Sequence, residues 1–216
     1  MTVEDRVTTR VYRFCRWLVK GYARLFHRIR WSGVEQLPAE GACILAANHA
    51  SYLDPPIMGC VIPHRFLHSL AKESLFKNPL MRWLLRRLFV IPLQVDKGDV
   101  GALKLSLKLL KDGKCIALYP EGSRSFDGEF QPAKGGVGFL MLKAKVPVIP
   151  VYLDGTHEAL ARGKRWIRPH RIGVHFGAPI TPDAFDVFSD DEDKYVKVAQ
   201  MVMDRIAEIK TRVRAR

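Results

Sequence analysis

Residues 42–56 read Ala-Cys-Ile-Leu-Ala-Ala-Asn-His-Ala-Ser-Tyr-Leu-Asp-Pro-Pro, an apolar run, a polar turn and a proline-opened segment in succession. Ala42 to Ala47 contains no polar side chain and is short, as a strand buried on both faces should be. Asp54 followed by Pro55 is a good helix cap followed by a good first helical residue. Strand, turn and helix in that order form the repeating unit of an α/β sheet, and ligands collect at the strand C-terminal ends of such sheets. His49 and Asp54 lie in this turn. On a helix, side chains five positions apart diverge, so the two can meet only if the chain turns between them. One reading has Asp54 simply capping the next helix. The other has it holding one ring nitrogen of His49, leaving the second to take a proton from a hydroxyl. The two are compatible.

The pattern of strand, loop and helix repeats outward from this stretch. Phe66 to Ala71, Val90 to Val95, Cys115 to Tyr119, Val148 to Leu153 and Ile172 to Phe176 read as strands. Helices are expected after Asn78-Pro79 as far as Leu88, and along the stripe Val100, Leu103, Leu107, Leu110, which ends at Gly113. Two more are expected over Gly136 to Ala144 and from Ser189 to the end. The last has Asp190 to Asp193 in its first turn and the stripe Tyr195, Val198, Val202, Ile206, Ile209. Strands alternating with helices predict one α/β domain, its central sheet largely parallel or mixed and flanked by helices.

A second polar loop follows the strand that ends at Tyr119: Pro120-Glu121-Gly122-Ser123-Arg124-Ser125. Glycine permits close backbone approach, and two hydroxyls with an arginine fork suit a phosphate. The plainer reading is a polar turn in which Glu121 and Arg124 pair with each other. Lys72, Lys97 and Lys134 flank the two loops, and each alone is an ordinary surface cation. Lys134-Gly135-Gly136 opens a helix whose free amides would favour an anion. The other histidines show no metal-ligand spacing, and Asp96, Asp99 and Asp112 suit turns and caps.

The first 30 residues stand apart. No acidic residue occurs between Asp5 and Glu35, while Arg6, Arg10, Arg13, Arg16, Lys20, Arg24 and Arg28 recur every three or four positions. Val7, Val11, Phe14, Leu18, Tyr22, Leu25 and Ile29 follow nearly the same period, and Trp17, Phe26 and Trp31 add large rings. This is an amphipathic helix with a basic face. It suits the interface of an anionic membrane. The alternative is a helix packed on the core by its apolar stripe.

Composition narrows the choice of function. A formal net charge of +13 calls for an anionic partner: nucleic acid, membrane surface or acidic substrate. The longest run free of charge and histidine is nine residues, Pro55 to Pro63, too short to span a bilayer. Cys15, Cys43, Cys60 and Cys115 form no C-x-x-C pair and read as reduced thiols. A secretory signal is not expected, since no separate apolar segment or small-residue cleavage site follows the N-terminal arginines. A nucleic-acid binder would need interleaved aromatic and basic residues or a recognition helix, and neither is evident, so no nucleic-acid partner is expected.

Asn48-His49-x4-Asp54, Tyr119-Pro120-Glu121-Gly122-Ser123-Arg124-Ser125 and Val146-Pro147-Val148-Ile149-Pro150, in that order, resemble the motifs of the glycerolipid acyltransferases. The nearest branch is the bacterial 1-acylglycerol-3-phosphate acyltransferases. Three motifs in order are far more specific than any one of them. The resemblance implies that His49 is the general base and Asp54 its partner. It assigns Glu121, Gly122 and Arg124 to the acceptor's glycerol phosphate; the hydroxyl of Ser123 and the flanking cations Lys72, Lys97 and Lys134 are further candidates for the same phosphate. It assigns Val146 to Pro150 to the neighbourhood of the acyl chain. Lys97 replaces an arginine usual in the family, and Tyr119 and Ser123 replace the usual Phe and Thr.

The resulting expectation is an O-acyltransferase of phospholipid biosynthesis without metal or bound cofactor. It moves a fatty acyl group from acyl-CoA or acyl-carrier protein to a lysophospholipid hydroxyl and forms phosphatidate. A lyso-ornithine lipid or a glycolipid is the alternative acceptor. Residues 1–30 would hold it, as a peripheral protein, to the cytoplasmic face of an anionic membrane, and 31–216 would form the acyltransferase domain.

Overall fold

Seven strands form one mixed sheet in the order β1-β7-β6-β2-β5-β3-β4 in a computed structural model that describes residues 3–94, 100–188 and 190–215. The strands are β1 (Arg30–Ser32), β2 (Cys43–Ala47), β3 (Leu67–Lys72), β4 (Val90–Leu93), β5 (Cys115–Leu118), β6 (Val148–Asp154) and β7 (Gly173–Phe176). The helices are α1 (Val3–His27), α2 (Asp54–Val61), α3 (Pro79–Arg87), α4 (Val100–Lys111), α5 (Gly135–Ala144), α6 (Thr156–Ala159) and α7 (Lys194–Arg214). From β6 to β4 all neighbouring strands are parallel, and β7 joins β6 antiparallel. The five parallel strands therefore end on one edge of the sheet.

Strand alternation divides the core into two layers. Cys43, Leu45, Ala47, Ile149 and Val151 face α1 and α2, whereas Ile44, Ala46, Ile116, Val148 and Tyr152 face the side that holds α5 and α7. On α7 the buried row is Val198, Ala199, Val202, Met203, Ile206 and Ile209, close to the stripe expected from sequence. Gly138 lets α5 and α7 touch, because a Cβ there would fall 1.8 Å from the Tyr195 carbonyl oxygen.

Two helix boundaries differ from the sequence reading by several residues. Helix α7 begins at Lys194, after Asp190–Asp193, and Ser189 lies outside the described residues. Asp191 serves the loop instead, accepting the Lys194 amide and pairing with Lys197 at 3.0 Å. The N-terminal helix stops at His27. Ile29 and Trp31 belong to the chain entering β1, an edge strand of three residues paired with β7.

The face of α1 that packs is not the apolar stripe, as the core-packing alternative would have it. Tyr12, Ala23 and His27 are buried, and Val19 is packed against the same core layer. Phe14, Trp17, Leu18 and Leu25 remain 59%, 69%, 46% and 76% exposed. The helix thus docks by one narrow row and leaves a broad apolar face open. Among the described residues no helix is long and apolar enough to cross a membrane.

Candidate active site

The turn after β2 is closed by its own aspartate. Asp54 is fully buried, and its Oδ2 accepts from the amides of Ala50 and Ser51, both at 2.8 Å, and lies 2.7 Å from His49 Nδ1. An N-cap side chain accepts from amides that follow it. Asp54 accepts from amides that precede it and is itself the first residue of α2, so the cap expected from sequence is replaced by a clasp on the turn. The amide end of α2 lies beside this carboxylate.

Nδ1–H of His49 donating to Asp54 fixes the tautomer and leaves Nε2 as the proton acceptor. The imidazole is stacked on the ring of Tyr119, with centroids 4.0 Å apart and planes inclined by 19°. Its side chain keeps 18% exposure, so the ring is immobilised yet reachable. Asn48 fixes the start of the turn by exchanging two hydrogen bonds with the Leu153 backbone, at 2.9 and 2.7 Å. Ser51 donates to the Leu160 carbonyl at 2.8 Å.

The loop after β5 folds over this turn. The Ser125 amide donates to the His49 carbonyl at 2.8 Å, which brings Arg124 next to the dyad. The Arg124 guanidinium lies 3.4 Å from the centroid of Tyr52, three residues after His49. Gly122 turns the loop at φ 66°, and a Cβ there would meet the Lys134 side chain at 2.9 Å. Ser123 and Lys134 are exposed, and the Lys134 amide is bonded to the Pro120 carbonyl at 2.8 Å.

Glu121 lies beneath the second loop, bonded to backbone on both sides. It is 1% exposed, and both oxygens are taken: Oε1 by the His49 amide at 2.7 Å and Oε2 by the Gln131 amide at 2.9 Å. Among the described residues its partners are these two amides and not Arg124, so it clamps the two loops together. Burial pushes its carboxyl up to about 7, opposed by the two backbone hydrogen bonds.

Lys72 ends β3 on the same sheet edge and is exposed. With Lys77, Arg82 and Arg86 it lines a cavity of about 630 Å³ that also includes Glu73, Phe76 and Leu93. Lys97 lies outside the described residues. Val146 to Pro150 leads into and along β6, with Pro150 paired to Ala46. Val148 and Ile149 are fully buried and pair with Ile44 and Leu45, toward the sheet edge opposite His49. Val146 and Pro147 lie further still from the dyad. Strand β6 serves the site through its other end, where Leu153 holds Asn48. Among the described residues no group of three His, Cys, Asp or Glu side chains is placed to hold a metal ion.

A family model described as Acyltransferase matches residues 28–154, a span that contains both loops. The chain belongs to the Acyltransferase family. It is 31% identical over 173 residues to the 1-acyl-sn-glycerol-3-phosphate acyltransferase BAT2, chloroplastic, of Brassica napus, covering 77% of its own length and 49% of that protein. It therefore spans about half of that plant relative. Against the 1-acyl-sn-glycerol-3-phosphate acyltransferase of Bacillus subtilis it is 23% identical, with 94% and 98% covered. The crystal structure of the 1-acyl-sn-glycerophosphate acyltransferase PlsC from Thermotoga maritima superposes with a TM-score of 0.78 at 27% identity, covering 97% of this chain and 84% of that one.

Proposed function

We propose that this acyltransferase transfers a fatty acyl group from a thioester donor, acyl-CoA or acyl-carrier protein, to the free hydroxyl of 1-acylglycerol-3-phosphate, giving phosphatidate. The observation that carries the reading is a His–Asp dyad with a free Nε2, held beside Arg124 by the Ser125–His49 backbone bond. His49 Nε2 takes the hydroxyl proton as the acceptor oxygen attacks the thioester carbonyl carbon. The tetrahedral intermediate collapses with loss of the thiolate, which recovers the proton from the imidazolium. Asp54 stabilises that imidazolium, and Tyr119 holds its plane. No covalent enzyme intermediate is required.

Arg124 takes the acceptor phosphate, supported by Lys72 and Lys134, and Gly122 and Ser123 shape the loop beneath it. The cations around the cavity beyond β3 extend a positive field that draws both anionic reactants to this edge. Glu121 acts through His49 as a positioning residue. The open apolar face of α1 lies in the interface of an anionic membrane, at its cytoplasmic face, with Arg6, Arg10, Arg13 and Arg24 against the headgroups. On this reading α1 forms the membrane-facing unit and the remainder the catalytic one.

The test is a mass-spectrometric product assay with purified protein, acyl-CoA or acyl-carrier protein, and a panel of lysophosphatidate, lyso-ornithine lipid and lysoglycolipid. Phosphatidate as the dominant product supports the reading. Product from another lysolipid alone refutes it.

A further inference from the structure

The loops that carry the chemistry, and a third segment bonded to them, also expose large apolar side chains. Tyr52 is 56% exposed, Phe126 71%, Trp166 84% and Ile167 43%. They come from the segments after β2, after β5 and between α6 and β7. Two are faced by arginines: Arg124 on Tyr52 at 3.4 Å, and Arg162 on Phe126 at 3.8 Å. The three segments are tied together. Arg162 Nη1 donates to the Arg124 carbonyl at 2.7 Å, Ser51 to the Leu160 carbonyl at 2.8 Å, and the Arg168 amide to the Ala159 carbonyl at 2.8 Å. They therefore form one rim.

We propose that this rim is a second membrane-contact surface, seated in the headgroup–acyl boundary of an anionic bilayer so that the acceptor enters the cleft without leaving the membrane. The proposal rests on the reading above, in which the acceptor is a bilayer lipid. Three observations select a bilayer over other occupants. Tryptophan and tyrosine prefer the membrane interface, where a ring meets hydrocarbon and its polar edge meets water. Residues 159–182 contain no acidic side chain, while Arg162, Lys164, Arg165, Arg168 and Arg171 follow one another, so the surrounding charge complements anionic lipid and repels a second copy of this chain. The rim also continues into α1. The Ile172 amide donates to the His27 carbonyl at 3.1 Å, and His27 Nδ1 is 3.1 Å from the His170 carbonyl oxygen. The end of the helix bearing exposed Leu25 and Phe26 thus borders the loop bearing Trp166.

The chain has four tryptophans, Trp17, Trp31, Trp83 and Trp166. Replacing the first three by phenylalanine leaves Trp166 as the sole reporter in the full-length chain, with its fold checked by circular dichroism. Vesicles of brominated phosphatidylcholine and phosphatidylglycerol should quench its emission by about half or more and shift it to the blue, as a ring at the acyl boundary requires. Unchanged emission at saturating vesicles overturns the proposal. So does an equal change on adding RNA alone, which would mark an electrostatic surface for nucleic acid. The double variant Trp166→Ser, Ile167→Ser supplies a second readout that does not depend on that triple replacement. Its rate on lysophosphatidate embedded in anionic vesicles should fall about tenfold, while its rate on a monomeric short-chain acceptor stays within about twofold of wild type. Equal losses on both substrates overturn the membrane role. Should the protein acylate no lysolipid, the quenching measurement still decides the contact, so the two readings fail separately.

Discussion

The two loops of the site are held by different means. In residues 48–54 the bonds to the key carboxylate close within the turn itself: one oxygen of Asp54 gathers two amides and one imidazole from the preceding five residues. The loop after β5 is held by bonds that reach 72 residues back to His49 and ten residues forward to Gln131. Both carboxylates are buried. Asp54 sits at a helix N-terminus among three donors, whereas Glu121 has two amides and a carboxyl pushed up to about 7. A carboxylate satisfied within its own turn can set the chemistry, and a bridged loop can set its alignment with the acceptor.

The comparison breaks first at Asp54. Asp54→Asn presents the wrong partner to Nδ1–H, and turnover should fall by about 10²- to 10⁴-fold in folded protein. Retained turnover would make the dyad a structural clasp only. Arg124→Ala should cost about 1.5 to 3 kcal/mol of acceptor affinity, read as a raised acceptor KM, with a smaller effect on the donor. Glu121→Gln puts an NH₂ against one of the two backbone amides. If Glu121 only positions, kcat should drop about tenfold with acceptor KM little changed. If it binds acceptor, KM should rise instead.

Glu121 also makes a pH prediction. The folded state holds its proton near pH 7, above the ordinary 4.5, so the stabilising contribution is complete below 4.5 and is lost as pH rises through about 7. The full loss is about 3 kcal/mol. The Tm of wild type relative to Glu121→Gln should therefore fall between about pH 5 and about pH 8. A constant difference would mean that the clamp carries no such burial cost. The smallest effect is expected at Tyr119→Phe, which keeps the ring on His49 and removes a buried hydroxyl without a hydrogen-bond partner. Activity should stay within about twofold and stability should not decrease.

The same contrast governs what the sequence disclosed. The strand, turn and helix around His49 were legible because each signal is local: an apolar run, then proline after aspartate. Even there, the direction in which Asp54 accepts was not, since a cap and a clasp use the same residues. Glu121 reads as an acceptor or ion-pair residue because its partners are backbone amides, which sequence does not distinguish. Val146 to Pro150 carries no periodic sign of which strand end faces the site; parallel pairing with β2 decides it. In α1 the apolar stripe is legible as far as Leu25, whereas Ile29 lies beyond the helix and is buried, and the docking row of Tyr12, Val19, Ala23 and His27 is too mixed in character to stand out beside it. Asn48 was inside the quoted motif, but its bonds to Leu153 depend on a strand 105 residues away.

The most direct test of the account is the rate of phosphatidate formation by His49→Ala, measured by mass spectrometry with the donor and lysophosphatidate that the wild-type protein uses. The account predicts a folded protein that still binds acceptor and whose turnover is lower by about 10²- to 10⁴-fold. Turnover equal to wild type in that folded variant would contradict it.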